Sequence, residues 1–306
     1  MEELLLVVAS EDHDKRIDKY LSEQVANSSR SYLQKLIKDE SVWVNDQTIK
    51  ANYKLSGGDQ VRIVIPEAVA PDVLAEAIPL DIIYEDEDVM VINKPKGMVV
   101  HPSAGHYTGT LVNALLFHCQ DNLSGINGVL RPGIVHRIDM DTTGLLLVCK
   151  NDMAHQCISK QLYEHTITRK YQAIVWNNIS DDEGVVDKPI GRHPNERKKM
   201  STHAKVAKEA ITHYKVLERF GKFCHIECVL ETGRTHQIRV HLASMGHPLL
   251  GDVVYGNTKA KMPFKTKGQC LHAMVLGFVH PTTNEYMEFE AALPDYFSHI
   301  LKRLSD

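Results

Sequence analysis

Apolar positions follow two different periods along the first 66 residues. Ile17, Tyr20, Leu21 and Val25 recur at helical spacing, and Tyr32, Leu33, Leu36 and Ile37 repeat it after a polar break at Ser28-Ser29-Arg30-Ser31. Val42-Trp43-Val44 and the run at 61–65 are short and β-like, separated by turn chemistry at Asn45-Asp46 and Gly57-Gly58-Asp59. The pattern predicts a compact module of two short helices and a small hairpin, with too little core to be very stable alone. The stretch carrying Pro66, Pro71 and Pro79 reads as a linker. The expected partition is a small domain over 1–66, a linker over 67–80 and a larger domain over 81–306.

Beyond residue 80 the chain is strand-rich. Strands are expected at 89–93, 134–137, 145–149, 170–176, 211–217, 224–230 and 286–291, and helices at 111–119, 153–165, 235–245 and 296–304. Strands and helices do not alternate strictly, so the expected class is α+β with a mixed sheet rather than a doubly wound parallel sheet. Neither GxGxxG nor GxxxxGK[ST] follows a strand, and no nucleotide cofactor is expected.

Composition narrows the picture further. No apolar run approaches the ~18–20 residues that cross a bilayer. Glu2 and Glu3 flank the apolar residues 4–8, where a secretory signal carries positive charge. A cytoplasmic protein is expected. The six cysteines form no CxxC pair, and Cys224 and Cys228 fall on one side of an alternating run, as buried thiols do. The 17 histidines include no HExxH, so no metal is expected.

The net charge of −4 conceals a segregated field. Residues 76–90 carry six acids and no base; residues 188–208 carry seven bases against one acid, Glu196. Patches rather than totals steer polyanions, which makes the 188–208 stretch a candidate nucleic-acid surface or, equally, a solvated loop.

Two segments could carry chemistry. In Gly133-Ile-Val-His-Arg-Ile-Asp139-Met-Asp141-Thr-Thr-Gly144, an apolar run enters and leaves a turn that holds two carboxylates, two hydroxyls and the adjacent cation Arg137. Either aspartate could be the reactive group, or both could simply form the turn. In Leu230-Glu-Thr-Gly-Arg234-Thr-His236-Gln-Ile-Arg239, a strand ends and a helix begins, with His236 and Arg239 three apart on one face. Lys94-Pro-Lys-Gly97 is a basic turn, and Tyr171 is an aromatic within a strand. Lys199-Met-Ser-Thr202 is similar to an ATP-handling loop of class I tRNA synthetases, but the HIGH-type partner is absent.

In combination these segments are far more specific. Lys94-Pro-Lys-Gly97 with His101-Pro102, then His136-Arg-Ile-Asp-Met-Asp-Thr-Thr-Gly144, Arg169-Lys-Tyr171, Gly233-Arg-Thr-His-Gln-Ile-Arg239, His247-Pro-Leu-Leu-Gly-Asp252 and Tyr255-Gly256 resemble the RluA/RluD-type pseudouridine synthases over roughly residues 81–295. Arg16-Ile-Asp18, Ser29-Arg30, Val42-Trp-Val-Asn45 and Gly58-Asp59 resemble the S-four-type RNA-binding module. Ile138 and Thr143 replace a usual leucine and serine, and Glu40 and Asp46 stand where glycine is common. Pro189-Ile-Gly-Arg192-His-Pro194 is similar to the large-subunit ribosomal RNA branch.

The resemblance implies a mostly antiparallel mixed sheet preceded by a small RNA-binding domain. It also implies isomerisation of uridine to pseudouridine in 23S ribosomal RNA without cofactor or metal. A uridine is flipped out of the RNA, and Asp139 acts on its ribose as nucleophile or base. Tyr171 stacks on the uracil, and Arg239 pairs with Asp139 and favours its charged form. Ile238 packs on the base, while Arg137 fills the gap it leaves or holds a phosphate. Further RNA contacts are expected from Arg234, His236, Lys94, Arg192, Lys198 and Lys199. The implied partner is ribosomal RNA or an assembling large subunit, with no membrane and no obligate protein partner. Transfer or small-subunit RNA as substrate, and an idle RNA-binding assembly factor, are the competing readings.

Overall fold

A computed structural model describes residues 2–25, 30–65, 73–103, 105–120, 122–126, 131–256 and 266–306. The expected break at Ser28-Ser29 and residues 67–72 of the expected linker lie outside them. The chain divides into two compact units, Met1–Ala70 and Pro71–Asp306.

The first unit contains β1 (Glu2–Val7), α1 (Ile17–Gln24), α2 (Arg30–Lys38), β2 (Val42–Val44), β3 (Gln47–Thr48) and β4 (Gln60–Ile65). Its antiparallel sheet runs β1-β4-β2-β3, so the hairpin expected from sequence is extended by a strand at the N-terminus. Leu4 and Leu6 of β1 pack against the core of Ile17, Leu21, Leu33, Leu36, Val42, Val61 and Ile63, while Leu5 and Val7 face outward. This is the alternation of a half-buried strand. Asp18 is fully buried and accepts from Arg16 and Gln34.

Helix α2 ends in a Schellman motif: Ser41 N–H bonds to Leu36 O at 2.9 Å and Glu40 N–H to Ile37 O at 3.2 Å. Glu40 therefore occupies the left-handed position at φ 55°, and Asp46 in the β2–β3 turn does likewise at φ 62°. Both residues thus adopt the conformation for which glycine is usual.

The second unit is built on a nine-stranded sheet. Its elements are β5 (Ile82–Glu85), β6 (Val89–Lys94), α3 (Leu111–Cys119), β7 (Thr143–Cys149), α4 (Asp152–Tyr163), β8 (Thr168–Trp176), β9 (Glu183–Asp187), β10 (Ile190–Arg192), β11 (Met200–Ser201), β12 (Ala207–Lys208), β13 (Ile211–Phe220), β14 (Phe223–Leu230), α5 (Gln237–Ser244), β15 (Leu271–Val279), β16 (Tyr286–Glu290) and α6 (Asp295–Ser305). The sheet order is β5-β6-β7-β15-β8-β14-β13-β9, with β16 on β15. The β7–β15 pair is parallel and every other pair antiparallel. Strands β10, β11 and β12 form a separate small sheet.

Two of the helices begin at side-chain caps. Thr110 caps α3 in a reciprocal box with Asn113, and the Asn151 side chain accepts from Ala154 N–H at the start of α4. None of the helices among the described residues is long and apolar enough to cross a membrane. Cys224 and Cys228 are both buried, as their spacing predicts.

One expectation is corrected. Residues 134–137 are not a strand; only Ile134 makes a bridge, to Val148, and the chain then runs irregularly into β7. The central strand β15 was not anticipated, although it joins β7 to β8. In the described part of the expected linker, Leu74 O accepts from Asn113, and the Glu76 carboxylate accepts from Gly109 N–H.

The left-handed Glu40 yields a prediction. Glu40→Gly should stabilise α2 by about 1 kcal/mol, because a Cβ in this region costs that much. Slower amide exchange across residues 33–38 of the full chain would show it; unchanged or faster exchange would contradict it.

Candidate active site

Ile138 and the β7 strand that follows are buried, and the backbone of the Asp139 turn between them is tied at several points. Thr142 N–H bonds to Asp139 O at 3.0 Å, and Met140 O accepts from Gly97 N–H at 2.9 Å. Gly144, at φ 107°, lets β7 start against β15; a Cβ there would lie 2.1 Å from Ala273 O.

Lys94 is the largest fully buried side chain among the described residues, and the turn is organised around it. Its Nζ donates to Pro95 O, Met98 O and Met140 O at 2.8, 2.9 and 3.0 Å. Burial lowers its pKa to about 7. The expectation that Lys94 contacts RNA is therefore corrected. A side chain with no exposed surface cannot reach a polyanion, and this one holds the backbone of the Asp139 turn instead.

Helix α5 supplies the partner of Asp139. Gln237, at its first position, donates to Ile211 O and Thr212 Oγ1 and accepts from Thr232 Oγ1 and Arg234 N–H, which closes the turn before the helix. Gly233 in that turn passes so close to Arg169 that a Cβ would lie 2.6 Å from its Nη1.

Arg239 then points at Asp139: Nη1 donates to Oδ2 at 2.8 Å. The other edge of the guanidinium is bidentate with Asp252, Nε to Oδ2 at 2.7 Å and Nη2 to Oδ1 at 3.0 Å. Burial opposes the Arg239 charge, but the two carboxylates outweigh it and raise the guanidinium pKa above its ordinary value. For Asp252, which is wholly buried, burial alone would raise the pKa; the Arg239 bonds and the N–H groups of Tyr255 and Val254 lower it instead. His236, held at φ 58° before α5, places Nε2 3.8 Å from Asp139 Oδ1.

These groups line an open cavity of about 370 Å³, within the ~300–1,000 Å³ usual for small-molecule sites. Asp139, Arg137, Ile138, Tyr171, Arg234, His236, Ile238 and Arg239 all face it, as do Arg169, Leu230 and Leu271. Tyr171 is buried, and burial raises its hydroxyl pKa, with the Asp139 charge acting in the same direction. Arg137 Nη1 lies 3.4 Å from His101 Nε2. Asp141 is elsewhere, against Gly268, which has room for it only because glycine has no Cβ; one there would lie 2.2 Å from Asp141 Oδ2.

Arg192 and Lys198 are exposed on the small β10–β11 hairpin, outside the cavity, and Lys199 is ion-paired with Glu196 at 2.7 Å. Asp252, Arg169 and Tyr255 were given no role from sequence, although all three lie in the motifs that carried the resemblance. Among the described residues no group of His, Cys, Asp or Glu could hold a metal ion.

The depressed Asp252 pKa fixes the sign of a pH effect. Its contribution to stability is complete above the ordinary aspartate value of 3.8 and is lost as pH falls through the lower folded value. Asp252→Asn should cost roughly 3 kcal/mol near neutrality, because it unbalances a buried ion pair. Thermal unfolding should show the gap to the unsubstituted protein closing below pH 4. A gap that stays constant to acid pH would refute this account.

The chain is similar to known proteins in both sequence and fold. The RNA pseudouridylate synthase family matches residues 88–244, and the S4 domain matches residues 15–61. An uncharacterized RNA pseudouridine synthase of Bacillus subtilis is 54% identical, covering 99% of each chain. A ribosomal large subunit pseudouridine synthase D of Neisseria meningitidis is 44% identical, over 94% of this chain and 78% of that one. The structure of human RNA pseudouridylate synthase domain containing 4 aligns with a TM-score of 0.55 at 28% identity, over 73% of this chain and 92% of that one. With half the chain matched by one family and near full-length relatives well above 30% identity, this protein belongs to the RNA pseudouridylate synthases and carries an N-terminal S4 domain.

Proposed function

We propose that this chain isomerises uridine to pseudouridine in 23S large-subunit ribosomal RNA, with Asp139 as the reacting group. The observation that carries the reading is the Asp139 carboxylate at the cavity wall, with Oδ2 bound by Arg239 and Tyr171 lining the same space. The relatives named ribosomal large subunit pseudouridine synthase D, 42–44% identical over most of the chain, support the choice of RNA.

The uridine leaves its stack to enter the cavity, because the glycosidic bond is not reachable in a duplex. Asp139 attacks C1′ of the ribose or removes a ribose proton, and the C1′–N1 bond breaks. The uracil turns and C5 bonds to C1′ as the Asp139–C1′ bond breaks or the ribose proton is returned; the C5 proton is then released and N1 takes one up, so that the product is an isomer and nothing is oxidised. Tyr171 offers a face for the uracil, and such stacking contributes ~1–3 kcal/mol per base. Ile238 packs against the base and closes the apolar side. Arg137, exposed at the rim, occupies the vacated position in the RNA or binds a phosphate, with Arg234 beside it. Arg192, Lys198 and Lys199 hold the RNA backbone.

Asp139→Asn should abolish tritium release from RNA labelled at uracil C5 while leaving RNA binding intact; retained turnover would refute the assignment. Asp141→Ala, whose side chain lies off the cavity, should be far milder, and an equal loss would undo the distinction. Mapping pseudouridines in cells with and without the gene should show sites lost from 23S RNA; losses confined to transfer or small-subunit RNA would overturn the choice of substrate. Arg192→Ala and Lys198→Ala should each weaken RNA binding and reduce its salt slope by about 1. An unchanged slope would remove the hairpin from the interface.

A further inference from the structure

A hydrogen-bonded thread runs from the basic hairpin to Asp139. Met200 N–H, on β11, donates to Tyr255 Oη at 2.8 Å. The same oxygen lies 2.8 Å from His236 Nδ1, and His236 Nε2 faces Asp139 Oδ1 at 3.8 Å. A phenol has one proton to give and can accept others. With Met200 donating inward, the Tyr255 proton is directed to Nδ1 of a neutral imidazole, which puts the ring proton on Nε2, toward Asp139. Burial lowers the His236 pKa and favours that neutral ring; Asp139, Arg239, Asp252, Arg137 and Tyr255 surround it.

Packing reinforces the thread. The Tyr255 ring meets His236 edge-on, with centroids 5.6 Å apart, and the Arg239 guanidinium lies over the Tyr255 ring, 5.2 Å from its centroid. Tyr255 and Met200 pack together with Ile190, Ala210 and Val240, so the hairpin and the back of α5 share one small core. The two oxygens of Asp139 are also unequal. Oδ2 is held by Arg239, whereas Oδ1 is beyond hydrogen-bond distance of His236 and stays available to the cavity.

We infer that Tyr255 is a positioning residue whose hydroxyl fixes the tautomer of His236 against Oδ1 of Asp139 and joins that ring to the backbone of the basic hairpin. Seating RNA on the hairpin then bears directly on the reacting carboxylate. The inference rests on the reading of Asp139 as the reacting group.

Tyr255→Phe keeps the ring over Arg239 and deletes only the hydroxyl. Met200→Pro removes the donor on the other side, an N–H that points at Tyr255 rather than into the strand pair. At saturating RNA, each variant should slow single-turnover tritium release about tenfold with RNA affinity unchanged within about twofold, the loss of one hydrogen bond in the reacting state. The double variant should be no slower than Tyr255→Phe alone, since both cut the same thread. Nitrogen-15 spectra of histidine-labelled protein should show His236 as the Nε2–H tautomer, and a mixture in Tyr255→Phe.

Unchanged rates, an unchanged His236 signal in Tyr255→Phe, or an affinity loss that parallels the rate loss would each overturn the inference. The histidine signal is read without turnover, so it separates this failure from that of Asp139, which Asp139→Asn tests.

Discussion

One guanidinium shared by two carboxylates organises the larger unit. Arg239 is almost wholly inside the protein, and a cation there is tolerated only when its donors are matched by fixed acceptors. Asp252 takes two of its N–H groups in fork geometry and Asp139 takes a third. The three residues come from α5, from the segment after it and from the turn before β7, so the interaction joins parts of the chain about 100 positions apart. A side chain so constrained can present the remaining oxygen of Asp139 to a cavity without drifting. Lys94 performs the complementary task beneath the turn, where its Nζ gathers the carbonyls of Pro95, Met98 and Met140.

The acidic and basic stretches are used in opposite ways. Much of the acidic 76–90 segment is consumed internally: Glu85 pairs with His118 and Lys150, Asp86 binds Tyr84 and His280, and Asp81 accepts from Asn93. These carboxylates fasten loops and project little field. On the β10–β11 hairpin, Arg192, Arg197 and Lys198 stay exposed. A chain of net charge −4 can therefore present a basic surface, because folding neutralises one sign locally and leaves the other in solvent.

Periodicity located nearly all the helices, since caps and apolar spacing are written within a few residues of one another: the expected 111–119 coincides with α3, and α4, α5 and α6 shift by a few residues. It failed at β15, whose run Leu-His-Ala-Met-Val-Leu-Gly-Phe-Val is apolar on both faces and gives no alternation to read. It also failed at 134–137, where an apolar run leads into the Asp139 turn without pairing beyond one bridge. Glu2–Val7 looked like a bare apolar stretch because its partner β4 lies nearly 60 residues on.

By itself the sequence determined the family resemblance, the α+β class and the group of residues that meet at the cavity, because each motif is short and its chemistry local. It left two aspartates equivalent on pattern, two residues apart in one turn. The family resemblance pointed to Asp139, and the tertiary structure supplies the physical difference, placing Asp139 on Arg239 and Asp141 against Gly268. It alone removed Lys94 from the surface and brought Asp252 and Tyr255 into the site. Burial and ion pairing depend on which distant segments fold together, and no local spacing encodes that.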